Sequence, residues 1–303
     1  MTNRRDWKLS IAAVERDVGI SKDVLRVWER RYGFPAPERD SNGERLYPPD
    51  QVARLQLVKR LIDQGHRPGR LLRRPLDELQ TLSATRAGDA PSAAREADED
   101  LEALVALIGR DKAVDYANAL QQRLVRQGLQ HFVQDTVAPL TQLVGAAWEQ
   151  GRLQVFEEHL FTELTNRVLR QAIAAVPVRH RPRVLLTTLP NEQHTMGLLM
   201  VEALLSLEGA HCISLGTQTP LLEIARSAVA YRADVVGLSF STAFPARQIP
   251  ELLRELRAGL PASTELWAGG GGTRRVLPQN GVLILGVLDD LFAAVERWRS
   301  ARR

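Results

Sequence analysis

The sequence predicts a multidomain chain: a winged helix-turn-helix at the amino end, a four-helix bundle in the middle, and an α/β domain with a five-stranded parallel sheet at the carboxyl end. Three observations carry this. Two short helical patterns separated by Gly19 precede a segment rich in Pro and Asn-Gly turn signals. Helical periodicity without strand signals then runs from Leu101 to Val176. Beyond it, strand-like apolar runs alternate with helical runs, the pattern of a doubly wound sheet. At 303 residues the chain exceeds one typical core, and the expected boundaries are 1–80, a linker over 81–98, the bundle over 99–178 and the sheet domain over 179–303.

Charge is unevenly placed along the chain. Residues 1–75 hold 17 Lys and Arg against 10 Asp and Glu, while the chain as a whole carries a net +4, so the remainder is slightly acidic. Such asymmetry points to a polyanion-binding amino end, the alternative being a solvated basic face. The single cysteine, Cys212, excludes an intramolecular disulfide and falls in an apolar strand pattern. No early apolar run resembles a signal peptide and no run of about 18 apolar residues could span a bilayer. A cytoplasmic protein is expected.

At the amino end, Ser10 to Gly19 reads as a short helix, and Ser21 caps a second helix from Lys22 to about Tyr32. This second helix carries Lys22, Arg26, Arg30 and Arg31, with Trp28 and Tyr32 interleaved; Arg26 and Arg30 lie four apart on one face. Phe34 to Tyr47 has the prolines and Asn42-Gly43 of a two-stranded wing, and Pro49-Asp-Gln-Val starts another helix. Leu25-Arg-Val-Trp-Glu-Arg30 followed by Asn42-Gly-Glu-Arg-Leu-Tyr47 resembles the winged helix-turn-helix of the MerR regulators over roughly the first 75 residues. The resemblance implies operator DNA as partner, with Lys22, Arg26, Arg30 and Arg31 on the recognition helix and Arg39, Arg45 and Tyr47 gripping the backbone from the wing. Trp28 reads equally as core or as DNA contact, and Glu29 as half of an internal ion pair.

Ser83 to Asp98 has almost no large apolar side chains and reads as a linker. In the bundle, Gly109, Gly128 and Gly151 divide the pattern into about four helices. In the last domain, strands are expected at Val184–Leu189, Cys212–Leu215, Val235–Phe240, Glu265–Ala268 and Val282–Leu285. Helices are expected at Met196–Leu207, Leu221–Tyr231, Gln248–Leu260 and Leu288–Arg299.

The loop after the first of these strands carries Glu192-x-His194-x-x-Gly197 at the carboxyl edge of the sheet, where open α/β sheets bind ligands. An imidazole there can ligate a metal while a carboxylate holds its other nitrogen. Taken alone, His194 reads as a satisfied loop histidine. The spacing resembles the Asp-x-His-x-x-Gly loop of cobalamin-binding domains, with Glu192 in place of Asp. Gly237-Leu-Ser-Phe-Ser241 and Ala268-Gly-Gly270 follow in the positions of that family's Ser and Gly-Gly elements. The resemblance implies a Rossmann-like domain in which His194 takes the lower face of the cobalt and Gly197 admits the planar ring. Ser239 and Ser241 would bond the nucleotide tail, and Gly269 and Gly270 would make room for it. It also implies that the bundle caps the upper face.

Within the bundle, Trp148 followed by nine residues and then Glu158-His159 resembles the motif of the adenosylcobalamin-dependent photoreceptor repressors of the CarH and LitR type. There the Trp, Glu and His line the pocket for the upper adenosyl group. Those proteins carry a His directly after the Trp, where this chain has Glu149; His131 and His159 are the other bundle histidines. The resulting expectation is a repressor, not an enzyme, that binds its operator as a homo-oligomer, dimer or tetramer, and is released when light cleaves adenosylcobalamin. Its rivals are a regulator sensing cobalamin supply or another tetrapyrrole, and a corrinoid methyl carrier.

Overall fold

In the computed structural model, residues 8–41, 43–63, 66–79, 92–108, 112–177 and 181–302 are described. Asn42, Gly109 and residues 81–91 of the expected linker lie outside them. The chain divides into two compact units, Met1–Arg95 with Gly145–Gln154, and Glu96–Val144 with Val155–Arg303.

In the first unit, helix α1 (Ile11–Val18) is capped by the Ser10 hydroxyl, which accepts from the Ala13 N–H, and ends at Gly19 with φ 71°. Helix α2 (Lys22–Tyr32) repeats the arrangement with Ser21 and Gly33. Strand β1 (Leu9–Ser10) pairs antiparallel with β3 (Arg45–Tyr47), which also pairs with β2 (Glu38–Arg39), so the expected two-stranded wing is a three-stranded sheet in the order β1-β3-β2. Two residues were too short a run to announce the extra strand. Helices α3 (Pro49–Asp63) and α4 (Pro68–Leu71) follow. One core joins Val14, Leu25, Trp28, Tyr47, Leu55 and Leu61, which settles Trp28 as a core residue.

The helical region begins earlier than the composition suggested. Helix α5 spans Ser92–Ile108, so residues 92–98 of the expected linker are helical. The stretch has few large apolar groups, but Ala, Glu and Arg are strong helix formers, and Leu101, Leu104, Val105 and Ile108 anchor the same helix by burial. Helix α6 (Ala113–His131) breaks helical geometry at Gly128, with φ 73° and ψ 163°, and runs through a π-helical segment, Phe132–Val137, into α7 (Ala138–Glu149). Gly151, also left-handed, precedes α8 (Val155–Ala174). A buried hydrogen bond of 2.8 Å between the Tyr116 and Thr165 hydroxyls ties α6 to α8, and burial raises the phenol's pKa.

The sheet comprises β4 (Arg183–Thr187), β5 (His211–Gly216), β6 (Val235–Ser239), β7 (Glu265–Gly269) and β8 (Val282–Leu285). All pairings are parallel, in the order β5-β4-β6-β7-β8. β5 is added on one side of β4 and β6 on the other, which places the switch point between β4 and β6. Helices α9 (Met196–Leu207), α10 (Leu221–Ala230), α11 (Ile249–Gly259) and α12 (Asp290–Ser300) cover it. The first expected strand stops at Thr187 rather than Leu189 because Pro190 opens a turn. Helix α9 is apolar on nearly every side because it packs on β4, β5 and β6 and also against α6 and α8.

Leu204 on α9 is fully buried, whereas Leu207 is 43 % exposed. Leu204→Ala is expected to lower stability by roughly 2–5 kcal/mol, and Leu207→Ala by about 0.5 kcal/mol or less. Urea unfolding followed by circular dichroism measures both; equal losses would show that α9 is not the element buried between sheet and helices.

Candidate functional site

Leu189-Pro-Asn-Glu192 forms a tight turn just past the end of β4. The Glu192 N–H donates to the Leu189 carbonyl at 3.1 Å, with Pro190 at the second position and Asn191 at φ 71° in the third. Proline presets the first angle, and Asn tolerates the left-handed one. Beneath the turn, the Thr188 hydroxyl donates to the Glu192 carbonyl at 2.6 Å and accepts from the Gln218 N–H at 2.9 Å, joining the loops after β4 and β5. The Thr187 and Thr219 hydroxyls meet at 2.7 Å. Sequence reasoning did not assign these threonines; two consecutive hydroxyl residues closing an otherwise apolar strand were the available signal.

The turn drives the Glu192 side chain inward, where it is 1 % exposed. One oxygen accepts from the His194 ring Nδ1 at 2.6 Å and from the His194 N–H at 3.1 Å. The other accepts from the Ser241 N–H at 2.7 Å and the Ser241 hydroxyl at 2.8 Å. Burial pushes the carboxyl pKa up, but the bonds from His194 and Ser241 together outweigh it and hold the group below its usual range. The Glu192 bond raises the His194 pKa, against the lowering effect of burial, and the charges of Glu192 and Glu158 add to the rise. Because a carboxylate only accepts, Nδ1 carries the proton and Nε2 is the nitrogen able to ligate. The imidazole is 59 % exposed, so that nitrogen is accessible.

Several expected cofactor contacts have other work in the structure. Ser241 uses its hydroxyl proton on Glu192 and is a positioning residue for the His194 loop. A Cβ on Gly197 would lie 2.5 Å from the Ser239 hydroxyl, so the missing side chain admits Ser239 to the start of α9. Gly270, at φ 97°, would put a Cβ 2.4 Å from the Phe240 carbonyl. Packing of the loop after β7 on the loop after β6 therefore requires glycine at this position. A Cβ on Gly269 would lie 3.3 Å from the Leu285 carbonyl oxygen.

Helix α8 brings Glu158 into the electrostatic field of His194. Glu158 also contacts the His159 ring at 3.0 Å and accepts from the Thr162 hydroxyl at 2.9 Å, while His159 is exposed. Two turns along, the Asn166 amide donates to the Thr195 hydroxyl at 2.9 Å, and its buried carbonyl oxygen has no partner among the described residues. Asn166 was not foreseen, because a lone Asn in a helix carries no spacing signal. Trp148 lies near the end of α7 in the first unit, half-buried, and its association with Glu158 and His159 rests on sequence spacing.

On the helix-turn-helix, Lys22, Arg26, Arg30 and Arg31 are exposed. Arg26 approaches Asp23 at 3.3 Å, and Arg31 stacks on the Tyr32 ring, 5.5 Å from its centroid. Arg39 in the wing is exposed and donates to the Gly43 carbonyl at 2.8 Å. Two wing assignments change. Arg45 is half-buried and paired with Glu29 at 2.7 Å, binding the wing to α2. Tyr47 is fully buried, with burial raising its pKa, and cannot grip a DNA backbone from inside the core. Exposed Arg67, Arg70 and Arg73 extend the basic surface beyond the residues assigned from sequence.

Comparison with known proteins matches the model of the MerR HTH family regulatory proteins at residues 9–71. Two B12 binding domain models match at residues 92–173 and 182–294. The chain is 32 % identical over 274 residues to the HTH-type transcriptional repressor CarH of Myxococcus xanthus, covering 89 % of this chain and 90 % of that protein. It is 30 % identical to the repressor CarA of the same organism, covering 89 % and 88 %. Among solved structures, a Methanosarcina barkeri monomethylamine corrinoid protein superposes with a TM-score of 0.52 at 13 % identity. That likeness covers 64 % of this chain and 96 % of the other, and concerns the fold.

In Glu192→Gln the His194 ring loses its anionic acceptor. The imidazole is therefore expected to titrate at lower pH than in the wild type, read from its carbon-bound proton shifts by NMR. Equal midpoints would show that the carboxylate does not hold the ring.

Proposed function

Because the chain belongs to the MerR family of transcriptional regulators and carries B12-binding domains, we propose that it is a light-responsive repressor that binds adenosylcobalamin and holds its operator as an oligomer in the dark. The observation that carries the cofactor half of this reading is His194, whose exposed Nε2 stands at the sheet's switch point while buried Glu192 holds Nδ1. An imidazole whose tautomer is fixed by Glu192 and whose other nitrogen is free would be suited to hold the cobalt. The residues present therefore fit the group. Adenosylcobalamin, when bound, supplies a cobalt–carbon bond that light breaks.

His194 is the proposed metal ligand, and Glu192, with Ser241 behind it, keeps the ring oriented. Trp148, Glu158 and His159 are assigned to the adenosyl side on the strength of the Trp-x9-Glu-His spacing. Glu149 takes the place of the His that would capture cobalt after photolysis, so the illuminated protein relaxes without a stable second histidine bond unless His131 or His159 supplies it. The assembled form places several helix-turn-helices on one operator, and linking them multiplies affinity without new contacts per module. Lys22, Arg26, Arg30, Arg31 and Arg39 are the proposed DNA-facing cations.

Size-exclusion chromatography and operator binding, each on adenosylcobalamin-loaded protein in the dark and after green light, test the switch. Assembly and tight binding in the dark, with loss of both in light, are expected. Equal behaviour in both conditions leaves a sensor of cobalamin supply as the reading. His194→Ala should shift the cofactor's visible spectrum toward the base-off form and weaken retention; an unchanged spectrum removes His194 from the metal. Arg26→Ala should weaken operator binding by roughly 1–3 kcal/mol if it makes a bidentate base contact.

A further inference from the structure

We infer that Val24 and Val27 form an apolar subsite on α2 that reads thymine methyl groups in the major groove, an inference that rests on the DNA-binding reading of this helix. Leu25 and Trp28 occupy its core face, being 0 % and 7 % exposed. Val24 and Val27, three apart and so neighbours on the helix surface, are 39 % and 41 % exposed. Arg30 and Arg31 lie three and four residues beyond Val27, and exposed Asp23 lies four before it. Valine is a poorer helix former than Ala, Lys or Arg, and among the described residues Val24 and Val27 are not part of the core cluster of this unit. An exposed apolar pair among cations, one of them paired with Asp23, has the composition of a surface that neutralises phosphates and also meets an apolar group.

The choice of ligand follows from groove chemistry. In a helix-turn-helix the first residues of the second helix approach base edges, and Val24 and Val27 are the third and sixth residues of α2. A valine side chain has no hydrogen-bonding group, so it cannot tell donors from acceptors. The apolar feature that natural base pairs offer in the major groove is the 5-methyl of thymine. Val24 is anchored by its own N–H, which donates to the Ser21 hydroxyl at 3.3 Å, so the subsite begins in the capped and ordered first turn.

The test uses the full chain loaded with adenosylcobalamin in the dark, and a duplex selected by it from a randomised pool. Each thymine is then replaced singly by deoxyuridine, which removes the methyl and keeps the hydrogen-bonding edge. Wild type is expected to lose about threefold to tenfold in affinity at one or more positions, the scale of one buried methyl group. Val24→Ser or Val27→Ser should bind the thymine and uracil forms of that position equally. Circular dichroism melting matched to wild type shows that the variants remain folded. The inference is overturned if wild type is indifferent at every thymine, if the selected duplex holds no such position, or if the penalty persists in both variants. Failure to retain any duplex from the pool would instead overturn the DNA-binding reading itself.

Discussion

A carboxylate removed from water at Glu192 organises the carboxyl edge of the sheet. An isolated buried charge is costly unless hydrogen bonds replace its hydration. Here four donor groups do so, two from the loop after β4 and two from the loop after β6. Those loops flank the switch point, so satisfying the charge also sets the width of the crevice and the orientation of His194. The glycines extend the same closeness. Gly197 admits Ser239 to the start of α9, and Gly270 admits the Phe240 carbonyl. A side chain at Gly270, which would meet the Phe240 backbone, would push apart loops that Glu192 draws together.

Helix α9 supports that edge from behind. It begins one residue after Thr195, so the His194 loop and the helix are one continuous piece of chain. Since α9 also packs on α6 and α8, and Asn166 of α8 bonds Thr195, a displacement of α8 would reach the loop holding His194 through a short covalent and hydrogen-bonded path. The Gly128 break and the π-helical segment after it lie on the neighbouring α6–α7 path. Irregular helical turns of this kind often mark functional positions, since they are retained against the cost of imperfect hydrogen bonding.

Much of this was legible in the sequence, for identifiable reasons. Helix starts at Ser10 and Ser21 were readable because a capping hydroxyl acts within three residues, and Gly19 marked a stop because left-handed geometry favours glycine. The order of strands and helices followed from a change of hydrophobic period, and His194 stood out at a strand end. Contacts between residues distant in sequence were not legible. Ser241 lies 49 positions from the carboxylate it serves, and its hydroxyl suits a nucleotide tail equally well in one dimension. Tyr47 read as a DNA contact because a phenol suits either a surface or a core, and only its burial in the cluster that also holds Leu25, Leu55 and Leu61 decides. The start of α5 was missed because its first turns are helical by backbone propensity without an apolar stripe.

The two ends of the chain use charge in opposite ways. At the sheet edge a single carboxylate is dry, multiply bonded and therefore little affected by ionic strength. On α2 the guanidinium groups stand in water, and anything they gained from phosphates would come from release of counterions, a contribution that weakens steeply as salt rises. Arg45 is instructive because it belongs to neither class. Its pairing with Glu29, at 2.7 Å and only partly exposed, fixes the wing against α2. Charge alone cannot give a reader sequence preference, since every base pair presents the same phosphates. Discrimination must come from groups that meet base edges, and under the proposed reading those are the side chains exposed in the capped first turns of α2.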